Sequence, residues 1–200
     1  MLCKHSFPHA RLRLKRLTQA TARSKVWKST VIGVKKTSLR GWAMAAFDYR
    51  QAQEIRDAFL RHGVRYLFIG KSGAILLGFS DTTQDPDVFP ERSPENGRAM
   101  VTALRELGFE LTGEQAAEIE RGKDFIQLKN GPFDLDLIFA PDGIERFDDA
   151  WRRHIDVEGF PVCHLDDIIA SKAAANRQRD RESLPRMRAF REYWLKQGRS

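Results

Sequence analysis

Two pairs of aspartates have the residue types and spacing in this 200-residue chain that best suit chemistry. Asp85 and Asp87 flank a proline in "QDPDVF", and Asp134 and Asp136 repeat the spacing in "FDLDLIF". In an extended strand, residues i and i+2 point to the same side, so each pair presents two carboxylates to one point. Such like charges repel each other unless a cation lies between them, and Mg²⁺ binds through one or two carboxylates plus substrate phosphates. The spacing therefore predicts a Mg²⁺ site.

The second pair lies in a run that alternates apolar and acidic residues, which is the pattern of a half-buried strand. If this strand lies beside the one that carries Asp87, three or four carboxylates converge as ligands of a two-metal site for phosphoryl or nucleotidyl transfer. The alternative is an unrelated α+β domain whose aspartates belong to a polar turn and a solvated edge strand. The presence of both pairs favours the metal site.

A glycine-rich turn precedes the first pair. The segment "FIGKSGAILLG" places Gly70, Lys71, Ser72 and Gly73 after an apolar strand and at the start of a short helix. Backbone amides at a helix start favour anionic ligands, so this turn predicts a phosphate cradle.

Hydrophobic periodicity and turn signals predict the elements that position these residues. Helices are predicted over 48–62, 72–77, 93–107, 143–153, 166–174 and 181–196. Strands are predicted at 64–69, from residue 87, in a hairpin within 123–139 around Asn130-Gly131, and in a small ribbon within 154–165. The order predicts an α+β (α/β-like) fold, a mixed sheet flanked by helices with a helical C-terminal part.

The basic charge of the chain is confined to its first 43 residues. They contain eleven of the 34 Lys and Arg residues and none of the 27 Asp and Glu residues, so residues 44–200 have a net charge of −4. We predict a basic extension over 1–43, a core over 44–145 and a helical region of the same domain over 146–200. For the extension, a start codon assigned too far upstream, a disordered basic arm for nucleic acid and a transit peptide stay open.

Cysteine usage and hydropathy bear on the compartment. Cys3 and Cys163 are the two cysteines, too few for a disulfide framework or a zinc cluster, which favours a reducing compartment. No apolar run approaches the ~20 residues that span a bilayer. We therefore expect a cytoplasmic protein with no membrane partner.

The ordered motifs resemble those of the nucleotidyltransferase superfamily, and in particular its AbiEii/AbiGii toxin-like, minimal nucleotidyltransferase branch. The family pattern is a hydrophobic residue, Gly, then Gly or Ser, a spacer, Asp-x-Asp and a third Asp on a later strand. Here Ile69-Gly70-Lys71, Asp85-Pro86-Asp87 and Asp136 match it in order, and "LDDIIASKAAANRQRD" resembles the family's C-terminal stretch. The resemblance covers roughly residues 47–195.

The resemblance implies an enzyme that moves a nucleoside monophosphate from a nucleoside triphosphate to an acceptor hydroxyl with two Mg²⁺ ions. It implies that Asp85, Asp87 and Asp136 are catalytic and bind metal. It further implies a nucleotide- and phosphate-binding set that comprises Gly70, Lys71, Ser72, Gly73, Lys172 and Arg177.

Two departures from the family pattern leave an alternative open. Lys71 stands where the family has Gly or Ser, and Pro86 lies inside the Asp-x-Asp motif. The alternative is a catalytically degenerate protein of this fold that only binds nucleotide or a partner. For an active enzyme the resemblance implies an RNA acceptor, particularly tRNA, a protein hydroxyl or a small aminoglycoside, and a toxin of this branch would have a cognate antitoxin.

Overall fold

The computed structural model describes residues 47–198, so the basic extension lies outside the described residues. Seven helices and six strands follow one another in this part of the chain. They are α1 Tyr49–Arg61, β1 Tyr66–Phe68, α2 Gly70–Leu76, β2 Asp87–Pro90, α3 Pro94–Glu106, α4 Gly113–Arg121, β3 Phe125–Leu128, β4 Leu135–Ile138, α5 Phe147–Arg153, β5 Ile155–Val157, β6 Phe160–Val162, α6 Leu165–Ala175 and α7 Gln178–Lys196.

The strands form one mixed sheet in the order β3-β4-β2-β1-β6-β5. The neighbours β2–β4 and β1–β6 are parallel, and β3–β4, β1–β2 and β5–β6 are antiparallel. Asp87 and Asp136 are register partners on β2 and β4. The topology therefore brings together two aspartates that are 49 positions apart in the sequence.

Local signals explain where the helices begin. Asp48 and Gln51 form a capping box at the start of α1, and Ser93 caps α3, where Pro94 occupies the first turn. The apolar faces of these helices pack on the sheet, where residues such as Phe59, Phe68 and Leu104 are fully buried. Burial of this kind stabilises the sheet on which the aspartates lie.

The predicted α+β class is confirmed, and so are the predicted hairpin and the small ribbon. The hairpin is formed by β3 and β4, but residues 129–134 connect them instead of a two-residue turn at Asn130-Gly131. Helix α4 has no counterpart among the predicted helices, although its capping box, Thr112 and Gln115, is visible in the sequence. The helices predicted at 72–77, 166–174 and 181–196 begin earlier, and that at 143–153 begins later.

The described residues after 145 contribute more than helices. They supply β5 and β6 to the common sheet and the helices α5, α6 and α7, and the described residues 47–198 belong to one compact unit. The boundary between 145 and 146 stays a prediction. None of the helices in residues 47–198 is both long and apolar enough to cross a bilayer.

Candidate active site

A cleft of ≈ 560 Å³ opens beside the ends of β1 and β2, and we call it the carboxylate cleft. It contains the predicted Asp85, Asp87 and Asp136. Four basic side chains from α2, α6 and the start of α7 line it, and we call them the basic wall: Lys71, Lys172, Arg177 and Arg179. Residues before and on β3, on β4 and after β4 form what we call the strand wall: Asp124, Phe125, Ile138, Ala140, Pro141 and Asp142.

Asp87 and Asp136 lie side by side because β2 and β4 run parallel. The Asp136 amide donates to the carbonyl of Pro86 at 3.0 Å, so the proline still takes part in pairing through its acceptor. Asp85 lies two residues before Asp87, in the loop that enters β2. Asp136 Oδ1 is buried and has no hydrogen-bond partner among the described residues. A buried oxygen without a partner is costly, so this atom is available for a ligand.

The electrostatics of the site disfavour three negative charges without a cation. Burial, followed by the charge of Asp136, raises the pKa of Asp87 from 3.8 to about 7, and Lys172 opposes this rise. Burial also raises the pKa of Asp136, with Gln127 acting in the opposite direction. The pKa of Asp85 is raised by burial and then by the charge of Asp134. A divalent cation would relieve this repulsion.

The glycine turn is shaped around Asp87. Gly70 has φ of +64°, and a Cβ at this position would collide with the Asp87 carboxylate. Any other side chain would therefore meet both left-handed backbone strain and a steric overlap. The turn therefore packs its backbone directly against the Asp87 carboxylate.

Ser72 and Gly73 lie beneath the carboxylate cleft and do not line it. The fully buried Ser72 hydroxyl accepts from the Asp87 amide at 2.9 Å and donates to the Ile69 carbonyl at 3.1 Å. The Gly73 amide donates to the same carbonyl at 2.9 Å. These groups fix the turn against β2, and their predicted contact with phosphate stays a prediction.

The basic wall contains two ion pairs. Lys172 Nζ donates to Asp180 Oδ1 at 3.0 Å, and both side chains are largely buried. Lys71 Nζ lies 3.6 Å from Asp81 Oδ2, an oxygen that also accepts from Arg186 at 3.3 Å. Both lysines therefore reach the cleft already held by a carboxylate.

Arg179 and Asp180, which are not among the site residues predicted from the sequence, also line the carboxylate cleft. The charge of Arg179 acts on all three carboxylates and lowers their pKa values. Asp180 is buried and also accepts from the Arg177 amide at 3.3 Å, just after Asn176 takes a left-handed conformation. Their position at the junction of α6 and α7 is the sequence feature that could have indicated a role in the site, because a helix junction can project several charges into one cleft.

The chain matches no protein-family model and no curated protein by sequence. The crystal structure of the lincosamide antibiotic adenylyltransferase LnuA, lincomycin-bound, is similar to it with a TM-score of 0.52 and 14% identity, over 72% of this chain and 98% of that one. A Thermotoga maritima structure assigned as a nucleotidyltransferase has a TM-score of 0.46 and 19% identity, over 74% of this chain and 92% of that one. This chain has a nucleotidyltransferase-type fold.

Within this fold, seven of the nine predicted site residues line one cleft. They are Gly70, Lys71, Asp85, Asp87, Asp136, Lys172 and Arg177. The structural similarity shows the fold, and membership of the superfamily stays an expectation. The toxin-like branch stays an expectation.

The residues present fit Mg²⁺, although they do not form a complete cage. Among residues 47–198, no three His, Cys, Asp or Glu side chains meet closely enough to hold a metal ion alone. Mg²⁺ needs no such cage, because it commonly takes one or two carboxylates, water and substrate phosphates. The adjacent Asp87 and Asp136, with the unpartnered Oδ1 of Asp136, offer that donor set.

Proposed function

We propose that this protein is a Mg²⁺-dependent nucleotidyltransferase that moves a nucleoside monophosphate from a nucleoside triphosphate to an acceptor hydroxyl. The observation that carries the proposal is the register pairing of Asp87 with Asp136, beside a glycine turn that touches Asp87. Aspartates that only solvate a surface edge would not be expected to lie together in a partly buried position with raised pKa values.

The chain's residues divide the work of binding. Asp85, Asp87 and Asp136 would hold Mg²⁺, which when bound supplies positive charge against the phosphate oxygens. The Gly70 turn lets phosphates approach the backbone closely. The basic wall would face the departing pyrophosphate, because its four side chains supply the positive charge of the cleft.

In the reaction, the acceptor oxygen forms a bond to the α-phosphorus while the bond to the pyrophosphate oxygen breaks. Asp136 would help activate the acceptor hydroxyl, because a metal held by this carboxylate would lower the proton affinity of that hydroxyl, and the released proton passes to solvent water. Positioning and charge neutralisation provide most of the acceleration.

A second candidate function has one observation in its favour. The family pattern places Gly or Ser where Lys71 stands, and the neighbouring Ser72 hydroxyl is buried away from the carboxylate cleft. A protein that binds nucleotide without transferring it would tolerate the missing hydroxyl. This is the degenerate alternative.

Candidate acceptors are RNA, particularly tRNA, a protein hydroxyl and a small hydroxyl compound. An RNA or protein acceptor would fit a toxin of the AbiEii type, which would have an antitoxin partner and a cytoplasmic location. LnuA, whose fold this chain shares, is an adenylyltransferase for a lincosamide antibiotic, and this adds weight to the third.

The test uses the purified full chain with Mg²⁺ and each α-³²P-labelled nucleoside triphosphate, and offers total RNA, lysate protein and a small-molecule extract separately. We expect one nucleotide to label one acceptor class. Asp87→Asn and Asp136→Asn should abolish labelling, whereas Asp134→Asn, on the same segment but outside the cleft, should retain it. Nucleotide-dependent thermal stabilisation without labelling would favour the degenerate alternative. The absence of both labelling and thermal stabilisation would refute both candidate functions.

A further inference from the structure

The two walls of the carboxylate cleft differ in charge. All four basic residues that line it belong to the basic wall, on α2, α6 and α7, and the strand wall contains none. The acidic side chains of the strand wall are Asp124 and Asp142. Arg92, which lies outside the cleft, donates to Asp124 at 2.5 Å, while Asp142 is exposed and has no ion-pair partner among the described residues.

Phe125 lies in the strand wall and is 50% exposed, although it is a large apolar side chain. On β3 it shares a face with Gln127, and Gln127 is the register partner of Asp136. Its own register partner, Ile138, lies on the Asp136 face of β4 and also lines the cleft. Two residues along a strand span about 7 Å, so Phe125 lies on the same face of the sheet as Asp136, about two strand positions away on the neighbouring strand.

In-line displacement assigns the two walls different tasks. The attacking and leaving oxygens lie on opposite sides of the phosphorus. If the basic wall receives the pyrophosphate, the acceptor must approach from the strand wall, across Phe125 and Ile138. This step rests on the proposed function.

We propose that the strand wall is the acceptor subsite, and that it takes a small, neutral or cationic hydroxyl compound with an apolar ring face. Phe125 provides the flat surface, because aromatic side chains contribute large apolar area with little loss of side-chain entropy. Asp142 faces an ammonium group on the acceptor. A nucleic acid acceptor would bring phosphates toward the exposed and unpaired Asp142, where like charge opposes it.

The experiment uses the full chain with Mg²⁺ and the labelled nucleoside triphosphates. Its acceptor probes are lincomycin and an aminoglycoside as cationic compounds, a neutral disaccharide, a sugar phosphate and total tRNA. We expect label on cationic or neutral compounds, and none on the sugar phosphate or tRNA.

Substitutions at Phe125 and Asp142 test whether the acceptor binds at the strand wall. Phe125→Ala should raise KM for the labelled compound about tenfold and leave KM for the nucleotide within about twofold, whereas Phe125→Tyr should stay near wild type. Asp142→Asn should reduce the preference for cationic over neutral acceptors several-fold, and this preference should weaken with salt.

Labelling of tRNA or protein, with the small compounds inert, would overturn the inference and leave the proposed function standing. A rise in KM for the nucleotide instead of the acceptor in Phe125→Ala would also overturn it, because the ring would then hold the base. Absence of label on every probe and on the RNA, protein and extract pools would refute the proposed function itself.

Discussion

Replacing Asp87 by Asn should stabilise the ligand-free protein while abolishing its response to Mg²⁺ and nucleotide. Asp87 is half-buried, adjoins Asp136 and has a pKa raised to about 7. Above that pH the folded protein holds a carboxylate that burial and a neighbouring carboxylate both disfavour. Asn has nearly the same shape but no charge, so the substitution removes the repulsion without a cavity.

The sign and the size of the stability difference between Asp87→Asn and wild type follow from proton linkage. Between the unfolded pKa of 3.8 and the folded pKa of about 7, folded Asp87 keeps its proton while the unfolded chain has lost it, so wild-type stability falls as pH rises through this window. The difference corresponds to at most ~4 kcal/mol at ~1.36 kcal/mol per pH unit. Because Asp87 is only half-buried and Asn must also be desolvated, we expect about 2 kcal/mol.

The assay is urea unfolding of wild type and Asp87→Asn in EDTA from pH 4 to pH 9, followed by thermal shifts with Mg²⁺ and nucleotide at pH 8. The advantage of the variant should be near zero at pH 4, grow to pH 7 and stay level above it. Asp142→Asn is the matched control, because Asp142 is exposed and surface substitutions change stability by about 0.5 kcal/mol or less. Only Asp87→Asn should lose the ligand-induced shift.

A stability difference between wild type and Asp87→Asn that does not vary with pH would contradict a raised pKa at Asp87. A variant less stable than wild type at pH 8 in EDTA would contradict it as well. The variant could also gain stability in a pH-dependent way and keep its thermal shift with Mg²⁺ and nucleotide. That result would confirm the repulsion at Asp87 but show that the ligand binds elsewhere.

Three further predictions test the groups that support the carboxylates. Gly63→Ala should cost about 1–2 kcal/mol of unfolding free energy, because its φ is positive and no neighbour lies within 4 Å of a Cβ there. Gly70→Ala should cost more and lose nucleotide binding, because its Cβ also overlaps the Asp87 carboxylate. Asp180→Asn should lower the unfolding free energy by about 3 kcal/mol, and adding Lys172→Met should recover part of it in urea denaturation. Ser72→Ala should cost about 1–3 kcal/mol and raise KM for the nucleotide, because the Asp87 amide loses its acceptor.

Local pattern was sufficient for much of this fold. Strand alternation in "FDLDLIF" predicted the buried Leu135 and Leu137, and capping signals predicted where α1 and α3 begin. The expectation that Asp136 would lie beside Asp87 was conditional on two strands being neighbours. The sheet confirms that condition through a parallel pair, which no local pattern specifies.

What the sequence could not reveal depends on contacts between distant or buried groups. The carboxylate partner of Lys172 is eight residues away across a helix junction, so helical periodicity alone did not connect them. Ser72 resembled a phosphate-binding hydroxyl, but its hydrogen bond to β2 exists only when the turn and the strand are assembled. The half-exposed Phe125 was not distinguishable in sequence from a core phenylalanine.

The arrangement of charges in the carboxylate cleft explains how carboxylates that repel one another can persist in a folded protein. Asp85, Asp87 and Asp136 all have raised pKa values, so each destabilises the ligand-free fold near neutral pH. Neutralising them permanently with nearby arginines would stabilise the fold, but would also remove the affinity for a cation. Arg179 opposes the rise in these pKa values without cancelling it. The lysines of the basic wall are paired with Asp81 and Asp180, so in the proposed enzyme Mg²⁺ would supply the remaining positive charge. Because protonation competes with metal for the same oxygens, stabilisation by Mg²⁺ should be larger at pH 8 than at pH 5.5, and an equal effect at both pH values would place the cation elsewhere.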